Sequence, residues 1–154
     1  MKTETKVMTS VDELRALEGQ VLGTTDWFEI TRERITGFAD ATEDWEEIHM
    51  NPERGANSPF GTNIAHGLYT LSLGPKFQYE IFTMSGHSLA LNYGFEKVRF
   101  ISPVKLGARL RMTQELLAVE PLDGGSKFRT RQTFEIEGQE KPACVAESVF
   151  AYFD

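Results

Sequence analysis

Two of the chain's three histidines, together with a knot of carboxylates, fall in one stretch from Phe38 to Leu73, FADATEDWEEIHMNPERGANSPFGTNIAHGLYTLSL. Asp44 and His49 lie five residues apart, just before the helix-breaking Asn51-Pro52, and His66-Gly67 sits where the next helix is predicted to begin. A histidine near neutrality gives or takes a proton, and a carboxylate beside it orients it or shares a water with it. Gly67, in the first turn of a helix, offers a free N–H with no side chain to block approach, which suits negative charge growing on a substrate oxygen. His66 would shape the same helix end. These residue types point to water addition or hydrolysis beside an oxyanion-stabilising helix start. Which of Asp44 and His49 is the formal base is left open by the sequence.

Other chemistries fit less well. Asp44, His49, His66 and His87 are possible metal ligands, but no HExxH or comparable ligand spacing is present, and no metal is expected. Gly61, Gly67 and Gly74 do not form a GxGxxG fingerprint after a strand, so nucleotide phosphate binding is not indicated. Taken singly, Asp44 is an ordinary helix-end residue and His49 an ordinary half-buried histidine. Only their grouping argues for a site. Glu53 and Arg54 read as a surface pair of little energetic weight.

The elements that must position this stretch follow from patterning. Ser10, with Asp12 and Glu13 behind it, caps a first helix within a polar N-terminal extension, residues 1–18. Asp26 to Ile30 is a short strand candidate. Thr31 caps a helix with Ile35, Phe38 and Ala39 on one face, which ends near Thr42-Glu43-Asp44. From Asp44 to Asn63 the chain is irregular, broken by Pro52, Gly55, Pro59 and Gly61, with Trp45, Ile48, Met50 and Phe60 placed to tie it down. Ile64 to Phe82 reads as one long helix, apolar on more than one face, with Gly67 and Gly74 allowing close approach and Pro75 bending it or marking a break. His87–Phe100, Ala108–Glu120, Lys127–Glu137 and Ala143–Phe153 read as a meander of four strands, the last apolar on both faces and so central or at an interface. A twisted antiparallel sheet wrapped around one helix, an α+β arrangement in a single domain over residues 1–154, satisfies this order.

Composition sets the outer bounds. The chain has 154 residues, 40% hydrophobic and 25% charged, which is ordinary for a globular domain able to bury a core. A formal net charge of −7 argues against nucleic acid as a partner. Lys97, Arg99, Lys105, Arg109 and Arg111 crowd one region and could meet an anionic tail, or simply be solvated strand residues. Cys144, the single cysteine, lies in an apolar run and reads as a small buried thiol. With no signal-peptide core and no membrane-length run, a cytoplasmic setting is the expectation.

The Phe38–Leu73 stretch resembles the signature of the MaoC-like dehydratases, which include the R-specific enoyl-CoA hydratases. That pattern is an aspartate, four residues, a histidine, Asp/Asn-Pro-Glu, Pro-Phe-Gly and Ile-Ala-His-Gly. Here it reads Asp44, His49, Asn51-Pro52-Glu53, Pro59-Phe60-Gly61 and Ile64-Ala65-His66-Gly67. Asn92-Tyr93-Gly94-Phe95-Glu96-Lys97-Val98-Arg99-Phe100, then Pro103-Val104 and Gly107, is similar to a second hallmark of the family. Glu46-Glu47 departs from the neutral pair often found between the aspartate and the histidine.

The resemblance implies the hot-dog fold and a homodimer or dimer of dimers with its tunnel near the subunit interface. It implies no cofactor, with a CoA or acyl-carrier thioester as substrate. Reversible syn addition of water to a trans-2-enoyl thioester, giving the (3R)-hydroxyacyl thioester, is the implied reaction. Asp44, His49 and Gly67 would be catalytic, while His66, Asn92, Tyr93 and Gly94 would bind substrate. A hot-dog thioesterase and a non-catalytic acyl-thioester binding module are the competing readings. The first would release free thiol and the second would bind without turnover. An acidic chain does not attract an acidic carrier protein, which favours CoA over acyl carrier protein.

Overall fold

Phe77 has no exposed surface, and the position of its ring shows how the domain closes. It meets Phe28 edge-on at 5.8 Å between ring centroids and Phe134 at 6.2 Å, so a helix, a short strand and a long strand converge on one side chain. The computed structural model describes residues 1–154. In chain order its elements are β1 (Lys6–Met8), α1 (Val11–Arg15), β2 (Val21–Thr24), β3 (Phe28–Glu29), α2 (Arg32–Thr42), α3 (Glu47–Met50), α4 (Pro52–Ala56), α5 (Gly67–Ser72), α6 (Gly74–Ile81), β4 (Phe82–Met84), β5 (Leu89–Phe100), β6 (Arg109–Leu122), β7 (Gly125–Ile136) and β8 (Cys144–Phe153).

The main sheet is antiparallel, in the order β2-β6-β7-β8-β5, with β3 continuing beside β6. It curves around α6, whose Phe77 and Ile81 are buried against its inner face. Strand β7 shows why the sheet has an inside. Phe128, Thr130, Gln132, Phe134 and Ile136 are buried while the residues between them face outward. The α+β architecture, a sheet wrapped around helix, is the one expected. No helix is long and apolar enough to cross a membrane.

Several elements depart from the sequence reading, each for a physical reason. The four long strands are not a meander: β5 pairs with β8 rather than with β6. The link from β5 to β6 runs across the start of α5, where Ile64 bridges Lys105, and so delivers β6 to the far side of the sheet. The doubly apolar β8 is accordingly central, between β7 and β5. The predicted single helix over 64–82 is two helices, with Ile64 to His66 still extended. The break falls at Leu73-Gly74, and Pro75 takes the first turn of α6, where its missing N–H costs nothing. Gly74 packs closely there: a Cβ would lie 3.0 Å from the Gln132 amide, which would have to move aside by a few tenths of an ångström. Residues 1–18 are tied into the fold, with β1 pairing parallel to β4 and with Met8 and Leu14 buried. Strand β2 carries no alternation long enough to be read from sequence.

Helix α2 forms as its sequence predicts. The Thr31 side chain accepts from Arg34 N–H, Ile35 and Ala39 are buried, and Glu43 ends the helix in the left-handed region at φ 58°. The crossing from Asp44 to Asn63 is held differently from expectation. Trp45 is 53% exposed, and its indole N–H donates to Asp40; Ile48, Met50 and Phe60 are only partly covered. The ties are polar instead. Buried Asn63 donates to the carbonyls of Ile48 (2.8 Å) and Asn51 (2.9 Å) and accepts from Arg32 (2.7 Å), which also donates to the His49 carbonyl (3.1 Å). Asn51 in turn caps α4 by accepting from the N–H groups of Glu53 and Arg54. Short helices expose many backbone groups, and these side chains satisfy them.

Asn63→Ala removes three of these bonds, leaving the Ile48 carbonyl with only Ile64 N–H, the Asn51 carbonyl with only Gly55 N–H, and Arg32 with only the His49 carbonyl. A loss of at least about 2 kcal/mol is expected. Urea denaturation of the variant checks it, and a change below about 0.5 kcal/mol would show that the crossing does not depend on Asn63.

Candidate active site

The end of α2, the short α3 and the start of α5 bring Asp44, His49 and His66 together. One ligand-capable atom from each lies within 4.8 Å of the others. Asp44 follows the left-handed Glu43, which turns the chain so that the aspartate leaves the helix end. Its backbone N–H bonds to the Ala39 carbonyl at 3.1 Å, and its side chain is about half exposed. His49 is partly buried on α3, and His66, only 3% exposed, is the residue preceding α5. The two imidazoles stack with centroids 3.8 Å apart and an interplanar angle of 25°. Phe38 packs on the His66 ring at 4.9 Å.

The hydrogen bonds assign the tautomers. His49 Nδ1 is 2.7 Å from the Ile64 carbonyl oxygen, which can only accept, so Nδ1 carries the proton and Nε2 keeps a lone pair. His66 Nε2 is 3.0 Å from the Asp44 carbonyl oxygen and donates to it, leaving Nδ1 bare, buried and without a partner. The same Nε2 lies 4.0 Å from Asp44 Oδ2. His49 is therefore oriented as an acceptor, while His66 fixes the position of Asp44 by holding its backbone. An aspartate and a basic imidazole at this spacing can hold one water between them, since two hydrogen bonds of about 2.8 Å span it.

Two histidines and a carboxylate also form a donor set that could hold a divalent ion. The geometry at His66 weighs against a shared ion. Its nitrogen nearest the Asp44 carboxylate bears the proton donated to the Asp44 carbonyl and has no lone pair to offer. His87 is not in the cluster; it stacks on Tyr152 at 4.4 Å just before β5.

Gly67 begins α5, and no side chain caps that helix, so its N–H is left free. A Cβ here would lie 3.0 Å from the Phe100 ring, so glycine is what lets Phe100 close over the helix start. Gly67 and Phe100 line a cavity of about 210 Å³, and a second cavity of about 490 Å³ is lined by Leu68, Leu71 and Ser72 of α5 and by residues of β5 and β8. Asn92 and Gly94 line the larger cavity as the sequence suggested. Tyr93 does not: it is the extra residue of a bulge between Asn92 and Gly94, half exposed, with its ring 6.2 Å from Phe153. Lining residues that sequence reasoning missed are Gln78, Gln132, Ser148 and Tyr152. Their signal was available for Gln132, an amide among the inward positions of β7.

Of the five crowded basic residues, Arg109 pairs with Glu137 and Arg111 with Glu135, while Lys97, Arg99 and Lys105 are free of ion pairs and exposed. Burial pushes the Cys144 thiol up to about 11, so it stays protonated and is a core residue rather than a nucleophile. Burial likewise pushes the Tyr152 phenol up to about 12, with Tyr79 adding to the shift.

Residues 13–137 match the MaoC like domain. The chain is 50% identical over 144 residues to the 3-hydroxyacyl-thioester dehydratase Z of Mycobacterium tuberculosis, covering 93% of this chain and 95% of that one. Among solved structures it is similar to the monoamine oxidase regulatory protein from Archaeoglobus fulgius, with TM-score 0.80, 17% identity and 99% of each chain covered. It is also similar to the R-hydratase PhaJ1 from Pseudomonas aeruginosa, with TM-score 0.70, 23% identity, and 89% and 82% of the two chains covered. The fold is thus the hot-dog fold of these hydratases, and with the match spanning most of its length this chain belongs to the MaoC-like dehydratase family.

Proposed function

We propose that this chain is a hydratase/dehydratase that adds water reversibly and syn across a trans-2-enoyl-CoA thioester to give the (3R)-hydroxyacyl-CoA. The observation that carries the reading is the Asp44–His49 pair, with the His49 proton fixed on Nδ1 and its Nε2 lone pair free, in a cluster with His66, the residue that precedes α5. Water held by this pair places its oxygen on C3. The proton it loses passes through the pair to C2, so that water is added whole and no cofactor is consumed. Charge that moves onto the thioester oxygen meets the free N–H of Gly67. His66 acts at one remove, by holding the Asp44 backbone.

Coenzyme A is the thiol carrier we favour. Arg99 and Lys105 are sequence neighbours of Phe100 and Val104, which line the cavity beside Gly67, and neither base is paired within the chain. They are placed to meet a phosphate-bearing tail. The name of the 50% identical relative, a 3-hydroxyacyl-thioester dehydratase, supports the substrate class.

The edge strand β5 supports a homodimer. Leu89, Leu91, Tyr93 and Phe95 are all exposed on a strand of twelve residues whose outer edge is unpaired. Such an edge invites a partner. Wild-type protein should therefore run in light scattering at twice the chain mass of 17.4 kDa, and Leu89→Glu with Tyr93→Glu should shift it toward the single chain. A wild-type monomer at micromolar concentration refutes the dimer.

Trans-2-enoyl-CoA should lose its conjugated absorbance on mixing with the protein, and chiral analysis should return the (3R) product. Asp44→Asn and His49→Ala should each slow this by about 100-fold or more while the circular dichroism spectrum is retained. Dialysis against a chelator should leave the rate unchanged. Full activity in either variant overturns the assignment. Release of free thiol in place of hydration would point to the thioesterase reading.

A further inference from the structure

The larger cavity has a polar floor that an unadorned hydrocarbon chain would not need. Its walls are apolar, with Leu68, Leu71, Phe95 and Phe150 among them, but Gln132 and Ser148 look into it from β7 and β8 and Gln78 from α6. The sheet register places Gln114 directly opposite Gln132 and Thr130 opposite Ser148, so three adjacent strands concentrate polar groups on one patch of the inner face. Part of the patch is internally satisfied. Gln114 Nε2 donates to Gln78 Oε1 (2.8 Å) and to Thr130 Oγ1 (3.1 Å), and Thr130 and Ser148 share a hydroxyl hydrogen bond (2.5 Å).

Gln132 is the exception. It is only 4% exposed, it lines the cavity, and its side-chain amide has no hydrogen-bond partner in the chain. The amide nitrogen of Gln78 is also unspent, because its oxygen is the atom that Gln114 engages. The Gln132 amide atoms open onto the cavity, so whatever enters it can hydrogen-bond to them, while the sealed polar atom left without a partner in this patch is Gln114 Oε1. None of the sixteen residues that line the cavity is charged, so a terminal carboxylate would find no counter-ion. The phenol of Tyr152, also in the lining, stays protonated and adds a neutral donor.

We propose that this cavity is an acyl pocket for chains that carry an uncharged oxygen, a hydroxyl or a keto group, hydrogen-bonded at its floor by Gln132 with Gln78 beside it. The inference rests on the acyl-thioester reading above for the head of the ligand. It concerns this chain's own inner face and does not depend on which residues a partner subunit adds at the mouth.

The test reads binding apart from turnover. Saturated acyl-CoA thioesters of increasing length are titrated by calorimetry, each as the plain chain and as its ω-hydroxy and (ω−1)-oxo forms. At the length that reaches Gln132, an oxygenated chain should bind about tenfold tighter than the plain chain. Gln132→Met, which keeps the volume and removes the amide, should abolish that preference. Plain chains that bind as tightly as oxygenated ones at every length overturn the proposal, and wild-type protein alone gives that answer if the variant fails to fold. A preference that survives in a folded Gln132→Met protein overturns the role of Gln132. Enoyl-CoA hydration is assayed in parallel. Selective binding without hydration sinks the catalytic reading and supports the pocket, whereas hydration with no preference for oxygenated chains sinks the pocket alone.

Discussion

The backbone of Asn63 to Ala65 is the clamp on which the site depends. Ile64 N–H bonds to the Ile48 carbonyl (3.4 Å), and the Ile64 carbonyl accepts from His49 Nδ1 (2.7 Å), so α3 is fastened to it from one side. From the other side Ala65 N–H donates to the Val104 carbonyl and Leu106 N–H to the Asn63 carbonyl, which fastens the link between β5 and β6. Three residues thereby set the tautomer of His49, the height at which α5 begins, and the route that β6 takes to the far side of the sheet. A helix beginning at Ile64, as the apolar spacing suggests, would turn these peptide groups inward on themselves and release all four bonds. Tertiary hydrogen bonding outweighs helix propensity here, because each extended group finds a partner that the helix would not supply.

The same constraint explains why the crossing is stitched by polar side chains. It passes over the surface through two helices of only four and five residues, which leave most of their terminal groups unpaired. Apolar anchors would cover such groups without satisfying them. Asn63, Asn51 and Arg32 satisfy them directly, and in doing so they fix His49 through its own carbonyl. Asp44 is positioned in a comparable way, through the His66 bond to its carbonyl and the Glu46 N–H bond to Oδ1 (3.4 Å), which leaves Oδ2 for a ligand. The scaffold holds the backbones of the reactive residues and one side-chain atom of each, Asp44 Oδ1 and His49 Nδ1.

Much of this was legible from the chain. The motif residues Asp44, His49, His66 and Gly67 gather at one place, the Thr31 cap and the end of α2 fall where the spacing puts them, and β7 alternates as read. What was not legible depends on partners far along the chain. The pairing of β5 with β8 sends the link from β5 to β6 past Ile64, which bridges Lys105, and no local pattern encodes that route. Strand β1 is three residues long and is held by β4, more than seventy positions away. The break at Gly74 answers to the Gln132 amide on a strand not yet formed when that helix is read. Tyr93 falls outside the cavity because a bulge between Asn92 and Gly94 interrupts the strand, and a bulge is not written in the spacing of the block.

A sheet that wraps a helix must be a sealed core on one part of its inner face and a ligand pocket on another. In this chain the division runs along β6, β7 and β8. Met112, Leu116, Phe128 and Phe134 are wholly buried on the core side, and between them Gln114, Thr130, Gln132 and Ser148 interrupt the apolar surface. Polar residues in such a place weaken the core unless a packed helix or a ligand completes them. Helix α6 does so for the Gln114 amide nitrogen through Gln78, while Gln114 Oε1 stays unpaired and Gln132 lies over the cavity. The break before α6 belongs to the same arrangement. Gly74 lets the helix approach the Gln132 amide closely, so the bend in the central helix and the polar floor of the pocket are two sides of one contact.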